Sequence, residues 1–319
     1  MSAMSEHAVH PELRTLARIL PRGLSQRSLQ VVRGIEAVQS RVAPSMARVM
    51  PAARRHEVGG VALGDGAGVR LHRPRLAVPG PLPALVWIHG GGYVIGTAAQ
   101  DDALCRRFAD ELGAVVASVE YRRAPEHPFP APLEDCHDAL VWVAGRDDVD
   151  ASRVAIGGAS AGGGLAAALA QLAHDRGQVQ PVLQLLSYPM LDDRTVRRAD
   201  LDERGFRLWN NRSNELGWRS YLGAEPGSDQ VPGHAVPARR VDLTGLPPTW
   251  LGVGSLDLFM DEDLAYADRL RAAGVPCTVE LVEGAFHGFD QLAPGSSISR
   301  AWRDSQLRSL AAAFTPARR

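Results

Sequence analysis

The chain contains no lysine; all 35 of its basic residues are arginine. That absence excludes a P-loop lysine, a Schiff-base lysine and a Ser-Lys dyad. Cysteine is sparse, and Cys105, Cys136 and Cys277 are scattered without a C-x-x-C pair or a zinc-ligand spacing. They read as small core hydrophobes of a reducing compartment, with Cys136 and Cys277 in apolar, buried segments. No uninterrupted apolar stretch is long enough to span a membrane, so no membrane span is expected. Met1 to His10 lacks a basic region followed by an apolar run, so no signal peptide is apparent and a cytoplasmic enzyme is expected. Charge of either sign is not in excess, with 36 acidic residues against 35 basic ones. Nothing in that balance calls for nucleic acid.

What is present is an ordinary globular composition over 319 residues, 45% hydrophobic and 22% charged. The first fifty residues carry two amphipathic stripes, Leu13, Leu16, Ile19 and Leu20, then Leu29, Val32, Ile35 and Val38. Both stripes are short and lack aromatic anchors, so a helical flap on the main domain is preferred to a membrane-lying helix. From His56 onward strands alternate with helices. The expected strands are His56–Leu63, Val69–His72, Ala84–His89, Ala114–Glu120, Arg153–Gly157, Val182–Tyr188, Thr249–Val253 and Thr278–Val282. The expected helices are Asp101–Leu112, Leu133–Ala144, Gly162–Asp175, Glu262–Ala273 and Ser297–Ala313. The later strands are mostly continuous apolar runs, the mark of a largely parallel sheet buried on both faces, with the first two strands as an antiparallel edge. A doubly wound α/β sandwich follows. The charged stretch Arg194–Gly223 interrupts the rhythm and holds Phe206, Trp209, Trp218 and Tyr221, which suits an inserted helical cap over the sheet edge.

Ser160 lies in Gly158-Ala159-Ser160-Ala161-Gly162, between an apolar strand and an alanine-rich helix. G-x-S-x-G is a weak signal alone, but on a strand-to-helix turn it projects a hydroxyl out of the backbone. A serine needs a base, an orienting carboxylate and donors for an oxyanion, gathered at the carboxyl ends of strands. His287 follows the strand Thr278–Val282 in a glycine-bracketed loop. Asp257 follows Thr249–Val253, and Asp261, Glu262 and Asp263 compete with it. Those three open a helix, where acidic residues serve as caps and dipole partners. His89-Gly90-Gly91-Gly92-Tyr93 follows another strand, and its glycines expose backbone N–H groups. A phosphate cradle there lacks both the lysine and the G-x-G-x-x-G spacing. His89 suits a brace for this loop better than a base. The order Ser160, Asp257, His287 is that of the α/β-hydrolases.

With these motifs, and with Tyr121-Arg122-Arg123-Ala124-Pro125-Glu126 followed by His127-Pro128-Phe129-Pro130, the chain resembles the bacterial hormone-sensitive-lipase-like esterases, or family IV, from about Pro83 to the last helix. The resemblance implies an α/β-hydrolase sandwich with a two-part cap: residues 1–50 and 194–223 as cap, 51–193 and 224–319 as core. It implies Ser160 as nucleophile, His287 as base, Asp257 as orienting carboxylate, and an oxyanion hole of Gly91, Gly92 and Ala161 backed by His89 and Gly90. It implies a small-molecule ester as substrate, of short or medium acyl chain, no metal or organic cofactor, and a homodimer. Ala159 departs from the Asp or Thr usual before the nucleophile. The segment from Asp257 to Asp263 and the context of His287 lean towards the Thr-type branch. The pocket candidates are Tyr93, Phe206, Trp209 and Leu258. Two alternatives stand beside this reading: the same triad acting on a lactone, amide, carbonate or acetylated sugar, and a non-catalytic small-molecule receptor on the same fold.

Overall fold

A computed structural model describes residues 9–35, 59–64, 67–76 and 79–315. The expected residues Val38 and His56 to Val58, and the cap's residues 1–8 and 36–50, lie outside these. Eight strands form one sheet: β1 (Gly59–Gly64), β2 (Ala67–His72), β3 (Leu82–Ile88), β4 (Val115–Glu120), β5 (Val149–Ala159), β6 (Gln184–Ser187), β7 (Thr249–Gly254) and β8 (Cys277–Val282). Their order across the sheet is β1-β2-β4-β3-β5-β6-β7-β8. β1 and β2 pair antiparallel and β2 meets β4 antiparallel; every pairing from β4 to β8 is parallel.

The central strands are buried along their length, as their unbroken Val, Leu, Ile and Ala runs require of a sheet covered on both faces. β8 differs. It is the outer strand, none of its residues is fully buried, and Cys277 is only half-buried. The expectation of a buried Cys277 fails because an edge strand has one neighbour instead of two.

The described helices are α1 (Arg14–Ile19), α2 (residues 26–35), α3 (Asp102–Leu112), α4 (Ala131–Ala144), α5 (Ala161–Arg176), α6 (Asn211–Leu222), α7 (Met260–Ala272), α8 (Phe289–Leu292) and α9 (Ser297–Phe314). Among the described residues no helix is long and apolar enough to cross a membrane. In α1 the expected stripe is incomplete: Leu13 is buried, but Ile19 is 74% exposed at the end of a short helix.

Between β6 and β7, the insertion is only partly helical. A 3₁₀ turn (Asp193–Arg197) and an irregular run precede α6, whose N-cap Asn210 accepts the Ser213 N–H. Trp218 and Tyr221 are buried against Tyr93, with Tyr93 and Tyr221 stacked at 4.1 Å. The N-terminal segment and the insertion are stitched together: Leu208 N–H donates to Pro21 O at 2.8 Å, and Leu24 N–H to Ser213 Oγ at 2.8 Å.

Candidate active site

Every residue of the expected triad stands where a strand stops. β5 ends at Ala159, and Ser160 takes φ 58°, ψ −123° before α5 begins at Ala161. A positive φ costs a non-glycine residue strain, so the turn must be held from outside. It is: Ser160 N–H donates to Ser187 O at 2.9 Å, and Met190 N–H donates to Ser160 O at 3.0 Å. Asp257 follows β7, and its Oδ1 accepts the Phe259 N–H at 3.0 Å. His287 follows β8 in a turn closed by Ala285 N–H to Val282 O and Phe289 N–H to Phe286 O.

These three side chains meet. His287 Nε2 lies 2.9 Å from Ser160 Oγ, and His287 Nδ1 lies 2.8 Å from Asp257 Oδ2. All three are buried. Asp261 is elsewhere, on the surface and paired with Arg198 at 2.6 Å. None of the three acids caps α7, whose N-cap is Phe259 without a side-chain bond. Glu262 instead accepts two amides of the β6–cap connection, and the Asp263 carboxyl is buried with neither oxygen bonded. Burial pushes the Asp263 carboxyl well above its ordinary range.

The glycine loop wraps Ser160 from the other side. Gly91 has φ +124° and Gly92 has φ +57°. A Cβ on Gly91 would lie 2.0 Å from Ile95 O, and one on Gly92 would lie 2.1 Å from the Trp209 ring. No larger residue fits at either position. Among the described residues, the backbone hydrogen bonds of the turns and loops leave the N–H groups of Gly91, Gly92 and Ala161 unused. His89 is fully buried; its Nδ1 lies 2.7 Å from Gly90 O and its ring stacks on Tyr121 at 4.3 Å. Burial lowers its pKa to about 4, so the ring is neutral near pH 7. Those contacts suit a brace.

Above Ser160 opens a cavity of about 290 Å³. Its walls include Gly90 to Gly92, Ala159, Tyr188 and His287 on the core side, and Leu24, Val32, Leu208 and Trp209 on the cap side. Of the four pocket candidates, Trp209 lines it. Tyr93, Phe206 and Leu258 do not, and this corrects the expectation. Tyr93 takes φ 67°, which turns its ring into the stack with Tyr221 and sends its hydroxyl to Met190 O. Phe206 and Leu258 are spent on packing in the core. Leu24, Val32, Leu208 and Tyr188 went unrecognised in the sequence. Tyr188 had a signal: it ends a buried strand on the same sheet edge as the other three. Its hydroxyl donates to Asp290 Oδ1 at 2.8 Å, and its ring packs on His287, with centroids 4.8 Å apart.

The sequence pattern of a family described as the α/β-hydrolase fold matches residues 85–291. The chain belongs to that family. Its hormone-sensitive-lipase-like branch is the one the motifs pointed to. Two relatives come from Mycobacterium tuberculosis. Esterase LipI is 38% identical over 65% of this chain and 65% of its own length. Carboxylic ester hydrolase LipN is 37% identical over 72% of this chain and 64% of its own length. The chain thus spans just under two thirds of both relatives. A solved bacterial heroin esterase superposes with TM-score 0.84 at 34% identity, covering 98% of this chain and 100% of that one. The chain therefore has a full-length counterpart among proteins of known structure.

Proposed function

We propose that the protein is a serine carboxylesterase that hydrolyses short- to medium-chain acyl esters through an acyl-enzyme. The hydrogen-bonded series Ser160–His287–Asp257 beneath a half-open cavity carries this reading. Ser160 Oγ attacks the ester carbonyl while His287 Nε2 takes its proton. Asp257 accepts from Nδ1–H, which fixes the tautomer and stabilises the imidazolium as it forms. The N–H groups of Gly91, Gly92 and Ala161 receive the oxyanion, being unspent and preorganised beside the serine. His287 returns the proton to the departing alkoxide, and water then releases the acid by the same steps. The mechanism as written draws on no metal or organic cofactor.

The substrate range rests on size and on the relatives. A cavity of about 290 Å³ falls at the low end of small-molecule sites, which run to roughly 300–1,000 Å³. LipI, LipN and the heroin esterase are all named as ester hydrolases. The two stitched cap parts, residues 9–35 and 194–223, form the wall that bounds the acyl chain. A homodimer belongs to the same reading, and sedimentation of the purified protein tests it. The catalytic reading is tested with a nitrophenyl ester series from acetate to laurate on the wild type and Ser160→Ala. Butyrate to octanoate are expected to turn over fastest, and the variant to lose roughly 10⁶-fold, as loss of a serine nucleophile does in subtilisin. Unchanged hydrolysis by the variant would overturn the assignment.

A further inference from the structure

The connection from β6 into the cap touches three parts of the site. Met190 N–H holds the Ser160 carbonyl at 3.0 Å, and Met190 O accepts the Tyr93 hydroxyl of the glycine loop at 3.3 Å. The approach is close: a Cβ on Gly164, in the first turn of α5, would lie 2.2 Å from Met190 O. The next residues turn to α7. Leu191 N–H and Asp192 N–H donate to Glu262 Oε1 at 2.8 and 3.1 Å, and the Thr195 hydroxyl donates to Glu262 Oε2. Asp193 is fixed in the same stretch by a bidentate pair with Arg239 at 2.7 and 2.9 Å.

Glu262 is buried with no cationic side chain as its partner among these bonds. An apolar residue would bury at less cost there, so the carboxyl is explained by what it binds. It binds backbone amides of one short segment, and that segment carries the serine turn on one end and the cap on the other. We propose that Glu262 is a positioning residue that clamps residues 190–195 to α7, and through Met190 fixes the backbone of Ser160 beneath the cap. This rests on the reading of Ser160 as nucleophile.

The protonation of Glu262 fits that role. Burial raises its pKa to about 8, against the three hydrogen bonds that oppose the shift. Oε1 accepts both amides and Oε2 accepts the Thr195 hydroxyl. The charged groups nearest in influence are Asp192 and Arg194 on the clamped segment and Asp263 on α7, with the Tyr93 hydroxyl across the site. A glutamine is uncharged and of the same shape: its oxygen accepts the amides, and its NH₂ meets Thr195 Oγ1 once that hydroxyl turns from donor to acceptor.

The test compares Glu262→Ala, Glu262→Gln and Thr195→Val by thermal midpoint, kcat, KM and the rate at which a nitrophenyl phosphonate modifies Ser160. Glu262→Gln is expected to stay within about threefold of wild type in both kcat and phosphonylation. Glu262→Ala is expected to lose about 10- to 100-fold in both, the size of loss that a small misplacement of a reacting group causes. A folded Glu262→Ala that is phosphonylated at the wild-type rate overturns the proposal, as does a Glu262→Gln as slow as Glu262→Ala. If Glu262→Ala does not fold, Thr195→Val decides: slowed phosphonylation supports the clamp and a wild-type rate refutes it. Phosphonylation of Ser160→Ala at the wild-type rate is a separate result, which removes the nucleophile assignment and not the clamp alone.

Discussion

The two walls of the cavity are held by different means. On the core side, Ser160, Asp257 and His287 stand on turns closed by backbone bonds to neighbouring strand ends, such as Ser160 N–H to Ser187 O and Ser255 N–H to Val282 O. On the cap side, Leu24, Val32, Leu208 and Trp209 come from two distant stretches joined by a few bonds, two of them between Leu24 and the single hydroxyl of Ser213. A sheet edge dictates where its turns go once the strands pair, so the three candidate groups inherit the precision of the paired strands. The cap has no such frame. Its geometry depends on which side chains reach each other, and changes there should alter what binds before they alter whether chemistry occurs.

The largest expected effect lies on the core wall. His287→Ala should abolish turnover, by roughly 10⁶-fold if it behaves as triad histidines do, with the thermal midpoint little changed. Retained activity in the folded variant would mean that another base serves Ser160. Next in size is a contrast of two acids. Asp257→Asn should lower kcat by about 10⁴-fold, because the amide cannot hold the imidazole in its working tautomer. Asp261→Asn should stay within about twofold, since an exposed pair such as Asp261–Arg198 contributes little. The reverse order would move the orienting role to Asp261.

A cap variant breaks the comparison from the other side. Trp209→Ala removes the ring that lies against Gly92 and bounds the cavity. The expected outcome is a shift of the ester series towards longer chains, with kcat on the best substrate within about tenfold of wild type, the scale of a few methylenes in an apolar pocket. Loss of all turnover would show that Trp209 holds the oxyanion loop as well as the wall.

This division also explains what the sequence discloses. Each reacting residue follows an apolar run and sits in a glycine-rich turn, and both signals are local, so all eight strands and the places of Ser160, Asp257 and His287 on the sheet edge are legible. β6 reads too long at both ends; at its far end Tyr188 takes a positive φ that stops the ladder, and no pattern of residues announces that. The cavity wall is not legible for a deeper reason. Tyr93 and Phe206 are aromatic and near the motifs, but a buried aromatic can face a cavity or fill the core, and its backbone angle decides. Val32 looks like any residue of a helical stripe, and Leu24 lies between helices with nothing to mark it until it meets Ser213 across 189 residues of chain.

Glu262 sits on the seam between the two walls and gives the smallest and most directional effect. Its folded pKa of about 8 lies above the 4.5 of an ordinary glutamate. Between those values the native protein holds a proton that the unfolded chain has lost. By linkage the contribution to stability is therefore greatest near and below pH 4.5, and declines as pH rises towards about 8. Glu262→Gln carries no titrating group and should lack this slope. Urea midpoints at pH 5.5 and 8.5 make the comparison: the wild type should lose stability relative to the glutamine variant at the higher pH. Groups remote from Glu262 titrate alike in both proteins, so their contributions cancel in the difference; Asp263 and Tyr93, which Glu262 influences, do not cancel fully. Parallel midpoints would mean that the seam carboxyl is ionised throughout, and that the amides of Leu191 and Asp192 are held by a charge.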